Sequence, residues 1–205
     1  MNETQQLKFV NQQEHIQIVG NKLPHWNQTS CVQFVTFRLA DSLPQVKLQE
    51  LKEDKEKWLK QHPSPWDDAT KQEYDETFTS RLDQWIDAGY GDCQLADVSY
   101  RALLFNAMLH FDGDRYDIHA FVIMPNHVHA LLTPREEGGV QSIIGSWKRF
   151  SAREFNKVNG KEGNVWERES FDHMVRNMEE YRKKLYYIIQ NPRNLEPGTF
   201  SLYVK

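Results

Sequence analysis

Short β-like apolar runs mark the predicted strands of this chain. The run Cys31–Leu39 (CVQFVTFRL) is rich in β-branched and aromatic residues and predicts the first strand. A second apolar run, Tyr116–Ile123, is followed by Met124-Pro125-Asn126, three residues that favour a tight turn. The apolar pattern resumes at His127, so these segments predict a hairpin whose second strand begins with that histidine.

Helical spacing of apolar residues, together with capping residues and prolines, predicts the other elements. The predicted helices cover about 45–62, 67–87, 97–110, 140–158 and 178–191. Two short β-like segments, 164–168 and 171–176, are expected to supply a fourth strand. Residues 1–30 give no periodic signal.

The order of these elements predicts the fold class. A strand, two charged helices, a helix, a hairpin, a helix, a strand and a final helix suit an α+β fold with helices packed on an antiparallel sheet. The charged helices at 45–90 are interpreted as an insertion after the first strand, a solvated helical hairpin lying against the core. We expect residues 1–205 to form a single domain.

Composition and charge restrict the function without assigning it. A hydrophobic content of 39% fits a globular protein, and the net charge of −4 argues against a generally basic nucleic-acid binder. The charge is uneven, however. Residues 41–98 hold 14 acidic against 7 basic side chains, whereas residues 135–205 hold 13 basic against 10 acidic ones. The C-terminal part is therefore the part suited to an anionic partner.

Cysteine usage and hydropathy bear on the compartment. Cys31 and Cys93 are too few for a disulfide framework and lack metal-site spacing. The sequence has no apolar run of membrane-spanning length and no signal-peptide pattern at its N-terminus. We expect a cytoplasmic protein with no membrane partner.

His127 and His129 are one residue apart on a predicted strand. Alternate side chains of a strand project from the same face, so the two imidazoles lie side by side and can bind one metal ion. A single histidine on a half-buried strand is more often a packing residue, and the His-x-His pattern does not name the further ligands that a cation needs.

The last predicted helix carries a second candidate group. Its expected buried stripe consists of Met178, Tyr181, Leu185, Ile188 and Ile189. Tyr187 lies outside that stripe, with Asn191 one turn on and Lys183 and Lys184 flanking the same face. A tyrosine hydroxyl has a pKa near ~10 and is a poor nucleophile unless cations or a metal stabilise its anion. The alternative is an exposed tyrosine on an ordinary amphipathic helix.

The two motifs together, Met124–His129 (MPNHVH) and Tyr187–Pro192 (YIIQNP), resemble those of the REP-associated tyrosine transposases, a branch of the single-tyrosine HUH transposases. Leu23–His25, Val35–Pro44 and Phe171–Arg176 agree with that family as well. The resemblance runs from about residue 23 to 195. One departure follows Pro192, where the family commonly continues to Gly-Leu-Val and this chain reads Arg-Asn-Leu-Glu-Pro-Gly.

The resemblance implies a ferredoxin-like core and an enzyme that cuts single-stranded DNA at hairpin-forming palindromes with Mg²⁺ or Mn²⁺. It implies that His127, His129 and Asn191 hold the metal and that Tyr187 is the nucleophile, forming a 5′-phosphotyrosine. Tyr186 is adjacent, but Tyr187 opens the Tyr-Ile-x-x-Asn-Pro pattern. A monomer or a homodimer associated with the nucleoid is expected.

Further side chains are candidates for DNA contacts. Phosphate contacts are predicted for Lys148, Arg149, Arg153, Arg176, Lys183 and Lys184. Trp166 is a candidate for stacking on unpaired bases, whereas Trp147 is expected in the core. Two other functions stay open: a metal-dependent nuclease that uses activated water, and a DNA-binding protein that does not cleave.

Overall fold

The computed structural model describes residues 7–10, 17–19, 25–27, 30–63, 66–74, 77–78, 80–135 and 139–205. Leu23 and Pro24 of the family-like stretch and Gly138 before the fourth predicted helix lie outside these residues. No helix in the described ranges is both long and apolar enough to cross a membrane.

The strands are β1 (Gln17–Val19), β2 (His25–Asn27), β3 (Gln33–Arg38), β4 (Tyr116–Ile123), β5 (His127–Pro134), β6 (Phe171–Met174) and β7 (Ser201–Val204). The α-helices are α1 (Gln45–Gln61), α2 (Asp68–Tyr74), α3 (Ser80–Asp87), α4 (Val98–Leu109), α5 (Gly139–Asn159) and α6 (Met178–Gln190). Short 3-10 turns cover Gln94–Ala96 and Asn191–Asn194.

Within the described residues, five strands form an antiparallel sheet in the order β6-β3-β5-β4-β7. Helix α4 connects β3 to β4, and α5 connects β5 to β6. This βαββαβ connection with β3 and β5 in the centre is the ferredoxin-like arrangement, so the predicted α+β fold class is confirmed. Strand β7 adds an edge that the sequence pattern missed, as it missed the separate β1-β2 pair.

The two faces of the sheet are buried by different helices. Val35, Phe37, Val128 and Ala130 point to one face, where α4 and α5 cover them. The alternate residues of the same strands point to the other face, which α6 covers through Ile188. His127 and His129 alternate with Val128 and therefore lie on the α6 side of the sheet.

The charged insertion has a small core of its own. Leu51, Trp58 and Phe78 are buried in it, and other partly buried aromatic rings pack around them. The predicted α1 is confirmed. Within the helix predicted over 67–87 the described residues form α2 and α3, and the stretch that joins them lies partly outside the described residues. The fourth strand predicted from segments 164–168 and 171–176 forms in the second segment, as β6, and segment 164–168 contributes an isolated bridge between Trp166 and Leu39.

Helix α6 presents most of its predicted hydrophobic stripe to the sheet. Ile188 is buried, and Tyr181 and Leu185 pack against the same sheet cluster, but Met178 is 41% and Ile189 36% exposed. Tyr187, expected on a face that the core leaves free, also packs against this cluster, beside the buried His129.

Candidate active site

The histidine pair lies at the start of β5, in the interior of the sheet. The side chains of His127 and His129 are almost completely buried, and their Nε2 atoms are 3.0 Å apart. Burial lowers the pKa of both imidazoles, most strongly that of His129, where the neighbouring His127 and Lys184 add to the effect. For His127 the nearby carboxylate of Asp87 works against this effect. Both rings are thus kept neutral, the form that can bind a metal.

The second nitrogen of each ring is held by a neighbouring side chain. His127 Nδ1 lies 2.7 Å from Asn126 Oδ1, and His129 Nδ1 lies 2.8 Å from Thr36 Oγ1. Asn126 Nδ2 already donates to two backbone carbonyls, so its Oδ1 must accept the proton of His127 Nδ1. The Nε2 lone pair of His127 is left directed at the gap between the two rings.

A carboxylate from the insertion reaches the same gap. Asp87, the last residue of α3, places an oxygen 3.3 Å from His127 Nε2. Ligand atoms of Asp87, His127 and His129 all lie within 4.8 Å of one another, so the three residues could hold a metal ion. Sequence reasoning missed Asp87, since nothing in its spacing separates it from the many other acidic residues of the insertion.

Asn191, in the turn that follows α6, contacts the same carboxylate. Its Nδ2 lies 3.4 Å from both carboxylate oxygens of Asp87. Its Oδ1 is buried and has no hydrogen-bond partner among the described residues. Two neutral imidazoles and a carboxylate, with a buried amide side chain in contact with that carboxylate, form a group of donors that suits a divalent cation. Adjacent ligands of an octahedral ion at about 2.1 Å lie about 3 Å apart, close to the separation of the two imidazole nitrogens.

The candidate nucleophile lies directly beside these groups. Tyr187 Oη is 3.3 Å from His129 Nε2, and the two rings meet edge to face with centroids 5.0 Å apart. Phe34 packs against both rings on the floor of the site. The neighbouring Tyr186 is 64% exposed and lines the surface pocket beside Tyr187 and Asn191, whereas it is Tyr187 that contacts His129. The structure therefore brings together His127, His129, Asn191 and Tyr187, as the sequence predicted.

The electrostatic environment of Tyr187 disfavours its anion. Burial raises the pKa of the phenol, and the carboxylates of Asp83 and Asp87 raise it further, although an interaction with Asn191 lowers it. Asp83 is itself a buried carboxyl whose pKa is raised to about 7, mainly by burial, against the lowering effect of Lys184. A bound cation would reverse this balance, because it would neutralise the carboxylates that repel the phenolate.

The predicted cations on and beside α6 lie in different surroundings. Lys184 Nζ lies 4.5 Å above the ring of Phe34, at the edge of the site. Lys183 points to solvent and pairs with Glu179 at 2.7 Å. Arg176 is exposed just before α6 begins. Lys184 is thus the cation nearest the site, and Lys183 is not part of it.

The other predicted DNA contacts lie on the opposite side of the sheet. Lys148 Nζ donates to the carbonyl oxygens of residues 167–169, and burial lowers its pKa to about 8. Arg149 and Arg153 are exposed on α5, and Arg153 pairs with Glu154. The Trp166 ring is 7% exposed and its Nε1 donates to a buried serine, so it cannot stack on a base in this structure.

Three comparisons with known proteins bear on this site. The family model described as "Transposase IS200 like" matches residues 109–189, which run from the end of α4 through the hairpin to the tyrosine of α6. A curated protein of Escherichia coli (strain K12), "REP-associated tyrosine transposase", is 30% identical over 100 residues, covering 48% of this chain and 58% of that protein. The matched region thus spans less than two thirds of the curated relative.

A solved structure is similar in part. It is titled "Structure of the REP associates tyrosine transposase bound to a REP hairpin", and it aligns with a TM-score of 0.48 and 20% identity over 85% of this chain and 73% of that one. The family match contains the Met124–His129 motif and Tyr187, but it ends before Asn191 and Pro192. Residues 109–189 therefore match the IS200-like transposase family model, and the resemblance of this chain to the REP-associated tyrosine transposases is confirmed.

Proposed function

We propose that this protein is a metal-dependent, transposase-like endonuclease and strand transferase that acts on single-stranded DNA at hairpin-forming palindromic repeats. The observation that carries the proposal is the 3.3 Å separation of Tyr187 Oη from His129 Nε2, with the second imidazole nitrogen 3.0 Å beyond it. A phenol, two neutral imidazoles and a carboxylate, from segments far apart in sequence, lie within contact distance of one another, and the carboxylate is also in contact with the Asn191 side chain. A packing role alone does not require that convergence.

The site divides the chemistry among these residues. His127, His129 and the Oδ1 of Asn191 would hold Mg²⁺ or Mn²⁺, whose charge polarises a phosphodiester and favours ionisation of a nearby phenol. Thr36 and Asn126 fix the imidazole orientations from behind. The aromatic ring of Phe34 restricts the position of Tyr187, so the phenolic oxygen reaches a bound phosphate from one direction.

The cleavage step replaces one phosphate ester with another. Tyr187 Oη attacks phosphorus and loses its proton, the bond from phosphorus to the 3′ oxygen breaks, and that oxygen takes up a proton. The products are a 5′-phosphotyrosine and a free 3′-hydroxyl. Attack by a 3′-hydroxyl on the phosphotyrosine reverses the exchange and joins strands. No external energy source is needed, since each step forms one ester bond and breaks one.

DNA contacts are assigned by position. We place the strand that is cut on the α6 side of the sheet, with Lys184 and Arg176 as its phosphate contacts and Lys183 farther out. Lys148, Arg149 and Arg153 would contact only DNA that extends around the molecule to α5.

The test is covalent capture. Tyr187→Phe should still bind a single-stranded hairpin library but give no protein–DNA adduct on a denaturing gel with Mn²⁺ present. Tyr186→Phe is the matched control, because it removes the hydroxyl of the exposed neighbouring tyrosine, while Tyr187 is the one in contact with His129, and its adduct should equal that of the wild type. An undiminished adduct with Tyr187→Phe would refute the nucleophile assignment.

The same experiment separates the two alternatives. Cleavage that gives no adduct and survives in Tyr187→Phe would indicate a nuclease that uses activated water. Hairpin binding with no cleavage under any metal condition would indicate a DNA-binding protein that does not cut. Sequencing the captured DNA from the wild type would identify the cut position.

A further inference from the structure

We propose that residues 86–91, at the carboxyl end of the helical insertion, form part of the metal site. In this arrangement Asp87 is a metal ligand, and the backbone carbonyls of Ile86 and Tyr90 orient the His127 imidazole through their hydrogen bonds with Asn126. The proposal rests on the proposed function, because it concerns the same cation. It gives the insertion a role that its acidic, solvated sequence did not indicate.

The first observation is the position of the Asp87 carboxylate. One oxygen lies 3.3 Å from His127 Nε2, and both lie 3.4 Å from Asn191 Nδ2. Asp87 therefore contacts the side chains of both His127 and Asn191, and its ligand oxygen lies within 4.8 Å of the ligand nitrogens of the two histidines. A carboxylate is the preferred ligand of Mg²⁺ and Mn²⁺, and it would add the negative charge that two neutral imidazoles and an amide lack.

The second observation is the hydrogen-bond path behind His127. Asn126 is buried, and its Nδ2 donates to the carbonyl oxygens of Ile86 at 3.1 Å and Tyr90 at 3.0 Å. Both donor protons are used by the insertion, so only Oδ1 is left to receive the His127 Nδ1 proton, at 2.7 Å. The insertion thereby determines which nitrogen of His127 faces the cation. Such outer contacts typically contribute about 10–100-fold in metal affinity.

The third observation is the tight packing that holds this segment in place. Gly91 has a φ of +90°, and a Cβ atom there would lie 2.7 Å from the backbone oxygen of Asp41. A side chain at position 91 would collide with Asp41, so we expect Gly91→Ala to shift the chain next to Tyr90, whose carbonyl accepts from Asn126. Gly113 has a similar φ of +85° but nothing within 4 Å of a Cβ. Substituting alanine at the two glycines separates displacement of the segment from simple backbone strain.

The experiment is calorimetric titration of Mn²⁺ into protein stripped with EDTA. Asp87→Asn should weaken Mn²⁺ binding at least about tenfold, whereas Asp92→Asn, an exposed aspartate of the same loop, should not change it. Asn126→Ala and Gly91→Ala should each weaken binding, and Gly113→Ala should cost stability without affecting Mn²⁺. The visible absorption of the Co²⁺ complex, which depends on the ligands, should change in Asp87→Asn but not in Asp92→Asn.

The outcomes are distinguishable from failure of the proposed function. If His127→Ala abolishes Mn²⁺ binding while Asp87→Asn and Gly91→Ala bind Mn²⁺ and Co²⁺ as the wild type does, the insertion is not part of the site and the proposal is overturned. If the wild type cleaves DNA without binding any of these ions, the metal dependence itself fails. The thermal unfolding of Asn126→Ala is compared with that of Gly113→Ala. Matching unfolding temperatures exclude a folding defect as the cause of weaker Mn²⁺ binding in Asn126→Ala.

Discussion

Thr36 shows how a single hydroxyl orients the site. It is buried on the central strand β3, opposite His129 in the register, and its Oγ1 lies 2.8 Å from His129 Nδ1. When Oγ1 accepts the proton of Nδ1, Nε2 is left unprotonated and facing Tyr187 and the second histidine. The same kind of threonine–histidine hydrogen bond recurs at the far end of the hairpin, where Thr133 Oγ1 lies 2.8 Å from His119 Nε2, away from the candidate metal ligands.

This recurrence provides a matched pair of substitutions. Thr36→Val should preserve shape but remove the contact that orients His129, and we expect Mn²⁺ affinity to fall about 10–100-fold. Thr133→Val removes the same kind of hydrogen bond and should leave Mn²⁺ affinity unchanged. Isothermal titration of both variants decides the point, and equal affinities would show that Thr36 only packs.

At the level of elements, specific hydrogen bonds hold the first turn of α6 in place. The side chain of Asn177 accepts from Glu180 N, and the Glu180 carboxylate accepts from Arg176 N and from His173 Nε2, each at 2.7 Å. Burial raises the pKa of Glu180, but these hydrogen bonds and the charges of His173 and Arg176 outweigh it and hold the pKa at about 2. The first turn of the helix that carries Tyr187 is thereby fixed to β6.

Glu180→Gln should consequently reduce stability. The folded-state pKa lies below the ordinary value of 4.5, so the folded protein binds fewer protons than the unfolded chain in this range. The contribution is fully present above about pH 4.5 and is lost as the pH falls towards 2. We expect a loss on the order of 1 kcal/mol at pH 7, shrinking as the pH falls below 4.5, measured by urea unfolding.

Glu179→Gln is the control for that measurement. Glu179 lies in the same helical turn but is exposed and pairs only with Lys183 in the described structure. Surface ion pairs of this kind contribute little to folding. A loss as large in Glu179→Gln as in Glu180→Gln would mean that general helix charge, and not the specific bonds of Glu180, stabilises α6.

At the scale of the whole molecule, the fold separates the basic side chains into two surfaces on opposite sides of the sheet. The chain is acidic overall, its insertion is strongly so, and its C-terminal part is mildly basic. The sheet places the cations of α5 on one side and those of α6 on the other, the latter with the site. We therefore expect a nucleic-acid strand that reaches Tyr187 to pass Lys184 and Arg176.

The affinity of Tyr187→Phe for single-stranded DNA should fall steeply as salt rises, because phosphate contacts release counterions. The combined substitution Arg176→Ala and Lys184→Ala should reduce the slope of log K against log salt by more than Arg149→Ala with Arg153→Ala does. Fluorescence anisotropy over a range of salt concentrations measures both slopes. A flat response, or the reverse order of the two pairs, would contradict the assignment of DNA to the α6 side.

The sequence by itself predicted β3, the hairpin of β4 and β5, β6 and most helices, and it named residues of the candidate site. Enrichment in β-branched and aromatic residues predicted β3, capping and apolar spacing predicted α4, and the paired motifs pointed to His127, His129, Tyr187 and Asn191. These succeed because spacing along a regular element fixes which side chains share a face.

Only the tertiary structure decided how the elements meet. Apolar spacing predicted that Tyr181, Leu185 and Ile188 of α6 pack on the sheet, but it did not indicate that Tyr187 packs there as well, because the histidine beside it comes from a distant strand. Asp87 could not be singled out, because its approach to His127 depends on the packing of an insertion 40 residues away along the chain. Tertiary packing decides which distant segments meet, and the local periodicity of the sequence does not determine that packing.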